Sequence, residues 1–389
     1  MREQNTQGDS PGSSYRSSEM ETNLNPEMLV LAREYREVTQ DDLSTTSGIN
    51  RGKIAKLESG IAQASDDEIE QLSKALTVPR EFLTQTEQCF GYGSSAYFYR
   101  KKAEVTAADR KRIHSAVNIV RIGIKQMLSQ VEVESRKRLP KLDKEDYSGD
   151  ARRVAHAVRD FWQLPDGPIG NVTALLESAG IIVVPLDFGT RSMDATSLWL
   201  ADMPPMVFIN EQLPGDRWRF TLCHELAHLV MHDIANDQME DEADAFASEF
   251  LMPEDDMRAE FSRISTITLK DLARLKAYWK TSMQALAMRA QDLGFLTYNQ
   301  SRYLWMTMSR LGYRSKTGGG EPVALEREQP ANLRKLARLF AENFGFSIEE
   351  VAALVKLTVK DFKRLFDASP WSATQQDSPR PRLRLIAAG

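Results

Sequence analysis

RWRFTLCHELAHLVMH, residues 217–232, is apolar on almost every side and holds no Gly or Pro. A stretch of that kind reads as a buried helix. Within it, His224-Glu225-Leu226-Ala227-His228 is an H-E-x-x-H pattern. Four residues of α-helix advance about 6 Å and return to nearly the same face, so both imidazoles can grip one ion. Glu225 then stands beside the metal as the base that activates water. Zinc suits the set, because it takes His and carboxylate ligands and keeps a fourth position open. The competing reading is a buried helix whose histidines only satisfy hydrogen bonds, but two on one face need several partners.

A third protein ligand has to come from elsewhere. His232 lies four residues beyond His228 and two turns from His224. That is too far along the helix to share the ion easily, so His232 reads as a support for the site. MEDEADAFASEFLMP, residues 239–253, reads as a second helix stopped by Pro253. On it Glu240 shares a face with Ala243, Ala247 and Leu251 and points inward, which makes it the carboxylate ligand. Asp244, one turn on, would orient a ligand histidine. Glu242 points elsewhere, with Glu249, and reads as part of a solvated acidic face. Between His228 and Arg258 there are ten acids and no Lys or Arg, a density that a divalent cation would partly offset. Cys223 projects about 100° away from His224 and reads as packing.

These motifs resemble the ImmA/IrrE family of metallopeptidases, which carries H-E-L-[AG]-H followed by E-x-x-A-[ND]-x-F-A. The resemblance covers roughly residues 150–310 and implies a gluzincin-like fold with a small sheet beside the active-site helix. It maps the third zinc ligand to Glu240. It further implies a protein substrate, since characterised members cut or inactivate transcriptional repressors. Ala227 stands where Gly is common, a harmless change in a helix.

Upstream, residues 39–60 read TQDDLSTTSGINRGKIAKLESG. The segment resembles a Cro/C1-type (XRE) helix-turn-helix. Thr39 caps one helix, Gly48 makes the turn and Asn50 caps the next. Leu43, Ile49, Ile54 and Leu57 would lock the two helices. Asn50, Arg51, Gly52, Lys53 and Lys56 would face the DNA groove, with Gln40 on a phosphate. Against this, residues 25–83 hold seven basic and eleven acidic residues, a net charge of −4. A helical bundle that no longer reads DNA is the competing reading. Pairing as a homodimer would let weak single modules suffice together.

The remaining chain gives an outline. With 389 residues, more than one domain is expected. Hydrophobic residues make up 42% and charged residues 27%, as in globular proteins. The net charge of −5 excludes a general polyanion binder. Two cysteines exclude a disulfide framework. No apolar run is long enough for a membrane span, and the N-terminus lacks a secretory core, so a cytoplasmic location with no membrane partner is expected.

Residues 1–22 read as a disordered tail, with Met20 as an alternative start. Residues 23–88 are the helix-turn-helix domain, and 89–140 a connector with one long helix over 106–138. The peptidase domain spans 141–310, opening on a polar linker at 141–150, with helix from Ala151 to Trp162 and strands at 180–186 and 204–210. Residues 311–368 form a helical extension and 369–389 a flexible tail. YFYRKKAEVT (97–106) reads as packing rather than a nucleic-acid contact. The glycines at 91–93 and 318–320 read as loops. Residues 346–365 have a faint helix-turn-helix rhythm but lack its glycine and basic face, so helix packing is expected.

The fold class is therefore mainly α with a small sheet: a helix-turn-helix bundle, an α+β metallopeptidase domain and a helical C-terminal extension. The function expected is a DNA-binding regulator with a zinc endopeptidase that cleaves a repressor. The alternative is a non-proteolytic regulator whose peptidase-like domain senses metal or a ligand.

Overall fold

Each of the first four helices starts where a side chain takes up an orphan backbone N–H. The computed structural model describes residues 23–90, 97–98, 105–131, 137–232, 236–314 and 320–366. Asn25 caps α1 (Pro26–Tyr35), Thr39 caps α2 (Gln40–Ser47), Asn50 caps α3 (Arg51–Glu58) and Ser65 caps α4 (Asp66–Leu76). Thr39 with Asp42 and Ser65 with Glu68 form reciprocal capping boxes. Gly48 ends α2 at φ +74°, a left-handed position that suits glycine. The short α5 (Arg80–Thr84) closes the bundle around Leu43, Ile49, Ile54 and Leu57, all buried.

After a two-residue strand, β1 (Tyr97–Phe98), α6 (Ala107–Leu128) begins at Thr106 as expected but stops ten residues short of 138. Val131 beyond the helix is still buried, and Lys137 donates its N–H to the Ser178 carbonyl, at the end of another helix. Nor is α6 simply amphipathic. Every residue from Ser115 to Ile124 is buried, because neighbours enclose it on all sides.

The 141–150 segment is not a plain linker. It holds a 3-10 turn, Lys144–Tyr147, and the Leu142 N–H bonds to the Val230 carbonyl. Then come α7 (Ala151–Phe161), α8 (Val172–Ser178), β2 (Ile182–Leu186), β3 (Ala195–Leu198) and β4 (Met206–Asn210). α9 (Gly215–Met231) and α10 (Met239–Leu251) follow, and a run of α11 (Glu254–Ser262), α12 (Leu269–Trp279), α13 (Met283–Asp292) and α14 (Tyr298–Arg310) completes this half. The last helices are α15 (Asn332–Phe344), α16 (Ile348–Leu354) and α17 (Val359–Leu365).

The sheet order is β1-β3-β4-β2, with β2 parallel to β4 and the other pairs antiparallel. Alternation along a strand sends successive side chains to opposite faces. Ile182, Val184 and Leu186 accordingly join one apolar core, while Ile181 and Val183 join the other. The first core runs unbroken from the helix-turn-helix bundle through α6 to one sheet face and α15–α17. The second holds the other sheet face with α7–α14. Residues 346–365 are packing helices, as expected. Arg36 grips Asp361 through two bonds of 2.8 and 2.5 Å, and Arg364 bonds the Tyr35 hydroxyl.

A strap formed by residues 320–331 fixes the start of α9. Glu328 accepts N–H bonds from Val172 and Thr173 and pairs with Arg219. A Cβ on Gly215 would lie 2.4 Å from the Leu325 carbonyl oxygen, so only glycine lets the strap cross there. No helix among the described residues is long and apolar enough to cross a membrane. Both tails, Met20, the glycines at 91–93 and most of 97–106 lie outside the described residues.

Candidate metal centre

α9 lies under the sheet with α10 packed along it, and both histidines of the pattern face α10. His224 Nε2 and His228 Nε2 stand 3.1 Å apart. Glu240 on α10 brings Oε2 to 3.4 Å from the first and Oε1 to 3.7 Å from the second. The three residues form a group able to hold one ion. Zinc bonds of about 2.0–2.1 Å in a tetrahedron put ligand atoms about 3.3–3.4 Å apart. The observed edges bracket that spacing, and two imidazoles with a carboxylate are a donor set that zinc accepts. The residues present fit the ion.

The outer nitrogens of the two rings are held differently. His224 Nδ1 meets Asp244 Oδ1 at 2.8 Å. His228 Nδ1 meets His232 Nδ1 at 2.8 Å, and His232 is not one of the three residues grouped around the site. Burial disfavours the charged form of His224, but the bonds to Asp244 and Glu240 and the charge of Glu225 outweigh it and raise its pKa to about 9.

Glu225 is 4% exposed, and among the described residues its Oε2 has no partner within hydrogen-bond distance. Burial pushes its pKa up to about 7, with the Glu240 and Asp194 carboxylates acting the same way and His224 and Ser197 opposing. A carboxylate poised near neutrality, with an open oxygen beside the triad, is placed to accept a proton from water. Neither Ser197 nor Asp194 stood out in the sequence. Ser197 lies on β3, whose Ala-Thr-Ser-Leu run shows no strand periodicity, and Asp194 precedes it. Asp194 in turn pairs with Arg217 at 2.7 Å.

The acidic face of α10 needs two corrections. Glu242 is not solvated: it meets His232 Nε2 at 3.1 Å and Lys144 Nζ at 2.6 Å. Glu249 is 1% exposed and pairs with the equally buried Arg289. Lys144 from the 3-10 turn and Arg289 from α13 reach α10, so partner side chains stand where water was expected. Cys223 is fully buried packing, as expected.

The second candidate site is α2–α3. Asn50, Arg51 and Lys56 are exposed on it and Lys53 is half-buried. Arg51 is paired with Asp41 at 3.0 Å, and Lys53 with Glu68. Asn50 spends its side-chain oxygen on the Gly52 N–H, 2.8 Å. Gln40 donates to Glu58 at 2.7 Å, while Glu58 also holds Arg33. Its side chain is thereby turned to the bundle rather than left for a phosphate.

Residues 176–291 match the family of the IrrE N-terminal-like domain. Residues 31–83 match the helix-turn-helix family. No curated protein matches the chain. The first match contains the whole triad, Glu225, Asp244 and His232, and the second contains α2 and α3. The chain thus joins a helix-turn-helix DNA-binding domain to an IrrE-like, peptidase-type domain. Lys144 and α7 lie ahead of the matched segment.

Proposed function

We propose that this protein is a cytoplasmic DNA-binding regulator whose IrrE-like domain is a zinc endopeptidase acting on a transcriptional repressor or similar regulatory protein. The observation that carries the reading is the Nε2, Nε2, carboxylate triad of His224, His228 and Glu240 with the open Oε2 of Glu225 beside it. These three side chains would hold the ion. Zinc in such a site supplies Lewis acidity, which acidifies water and polarises a carbonyl. Glu225 accepts the proton of the attacking water and returns it to the leaving amine. Asp244 keeps the His224 ring turned toward the site. A sensor of metal alone has no need of a buried carboxylate beside the triad, which favours hydrolysis.

The α2–α3 unit directs the peptidase to a DNA site, with Arg51, Lys53 and Lys56 meeting the duplex, and a homodimer would strengthen that hold. A regulator bound at the same DNA site gains effective concentration, as tethered partners do. An exposed loop of it is the segment a protease cleft can accept. The test is to co-express wild type or Glu225→Gln with the regulator encoded beside this protein and to follow that regulator by mass spectrometry. A discrete fragment with wild type alone supports the proposal. Equal derepression by both forms, with the regulator intact, refutes hydrolysis.

A further inference from the structure

The two metal-facing histidines are supported unequally. His224 rests on a carboxylate directly. Behind His228 runs a longer chain: His228 Nδ1 to His232 Nδ1 at 2.8 Å, His232 Nε2 to Glu242 Oε2 at 3.1 Å, and Lys144 Nζ to Glu242 Oε1 at 2.6 Å. His228 and His232 are 1% and 4% exposed, and the Glu242 and Lys144 side chains 13% and 22%. The chain starts at the centre of the site and ends at the 3-10 turn of residues 144–147, outside the family match.

Direction follows from donor chemistry. With its Nε2 turned to a metal, the His228 ring keeps its proton on Nδ1 and must donate there. His232 Nδ1 stands 2.8 Å away, so it accepts, and His232 carries its own proton on Nε2. That proton is donated to Glu242, whose other oxygen accepts from the Lys144 ammonium. Every atom in the chain then has one role, and each proton position is set by the next residue.

We propose that His232, Glu242 and Lys144 are positioning residues for the metal ligand His228, acting as a single directed chain of hydrogen bonds that fixes its tautomer and ring orientation. Lys144 supplies the charge that holds Glu242 in place and turns its other oxygen toward His232. The metal site is in this way completed by a residue ahead of the peptidase domain match. The inference rests on the metal reading above but not on proteolysis.

The experiment uses the full-length chain, zinc alone as the probe, and competition with a chromophoric chelator. Glu242→Ala and His232→Phe should each weaken zinc binding by roughly 10- to 100-fold, the usual effect of losing a partner behind a ligand histidine. Lys144→Met should shift affinity in the same direction by a smaller factor, and Lys144→Arg should restore it. His232→Gln keeps an oxygen that can accept from His228 and should stay near wild type, which separates the hydrogen bond from packing. If His232→Phe does not fold, Glu242→Ala and the Lys144 pair carry the test. Nitrogen-15 spectra of the zinc-loaded protein should show the His228 proton on Nδ1 in a hydrogen bond that Glu242→Ala weakens. Wild-type zinc affinity in folded Glu242→Ala and His232→Phe would overturn the proposal. A protein that binds zinc but cleaves nothing would sink the peptidase reading and leave this one standing.

Discussion

Glu249→Ala should be among the most destabilising single changes in the second core, although nine residues of helix, about 13 Å, separate it from Glu240. Glu249 and Arg289 are each 1% exposed and bonded to one another. Glu249 also accepts the Glu254 N–H at 2.7 Å, and Arg289 reaches the Met252 carbonyl at 3.1 Å. Truncating the acid leaves a buried guanidinium without its counter-charge, a change that costs about 3–5 kcal/mol. The contact of Glu249 with His156 adds little, because that ring is 44% exposed. For a domain of 150–250 residues each kcal/mol moves the midpoint by about 2–4 °C, so a fall of roughly 6–20 °C is expected. Calorimetry with a chelator present keeps zinc out of the comparison. Glu249→Leu with Arg289→Met should recover part of the loss, short of about 1 kcal/mol each for the orphaned Glu254 N–H and Met252 carbonyl. Zinc content should stay at the wild-type level. A midpoint within about 2 °C of wild type for Glu249→Ala would refute the reasoning.

Other outcomes follow from the same geometry. Burial opposes ionisation of Asp361, yet its bonds to Arg36 and Thr358 hold the carboxyl below its ordinary value. A lowered folded-state pKa gives stability that is present above the unfolded value, near 3.8, and is lost as pH falls through the folded one. Denaturant titrations at stepped acid pH should show that loss in wild type and a flatter profile in Arg36→Ala. In DNA-binding assays at several salt concentrations, Lys56→Ala should weaken affinity and reduce the salt slope by about one. Gln40→Ala should change little, because its amide already serves Glu58; a large loss would contradict that assignment. Glu240→Ala should cost more zinc affinity than Glu242→Ala in chelator competition, since the first removes a ligand and the second a support. Equal losses would break the distinction.

What could be read from the sequence tracks how local each signal is. The H-E-x-x-H pattern and the inward phase of Glu240 depend only on helical periodicity, and the caps at Thr39 and Asn50 only on neighbouring residues. Features set by distant partners were not legible. Glu242 and Glu249 look solvated until Lys144 and Arg289 arrive from elements 98 and 40 residues away. β3 owes its extended form to β4 and β1, not to its own composition. The all-round burial of α6 comes from α1 and from Phe366 near the far end of the chain.

The most direct measurement is metal content of the purified full-length protein by plasma mass spectrometry, comparing wild type with the His224→Ala, His228→Ala double variant and with Glu225→Gln. The account predicts about one zinc per chain in wild type and in Glu225→Gln, and none in the double variant. Full zinc occupancy without the two histidines would contradict it.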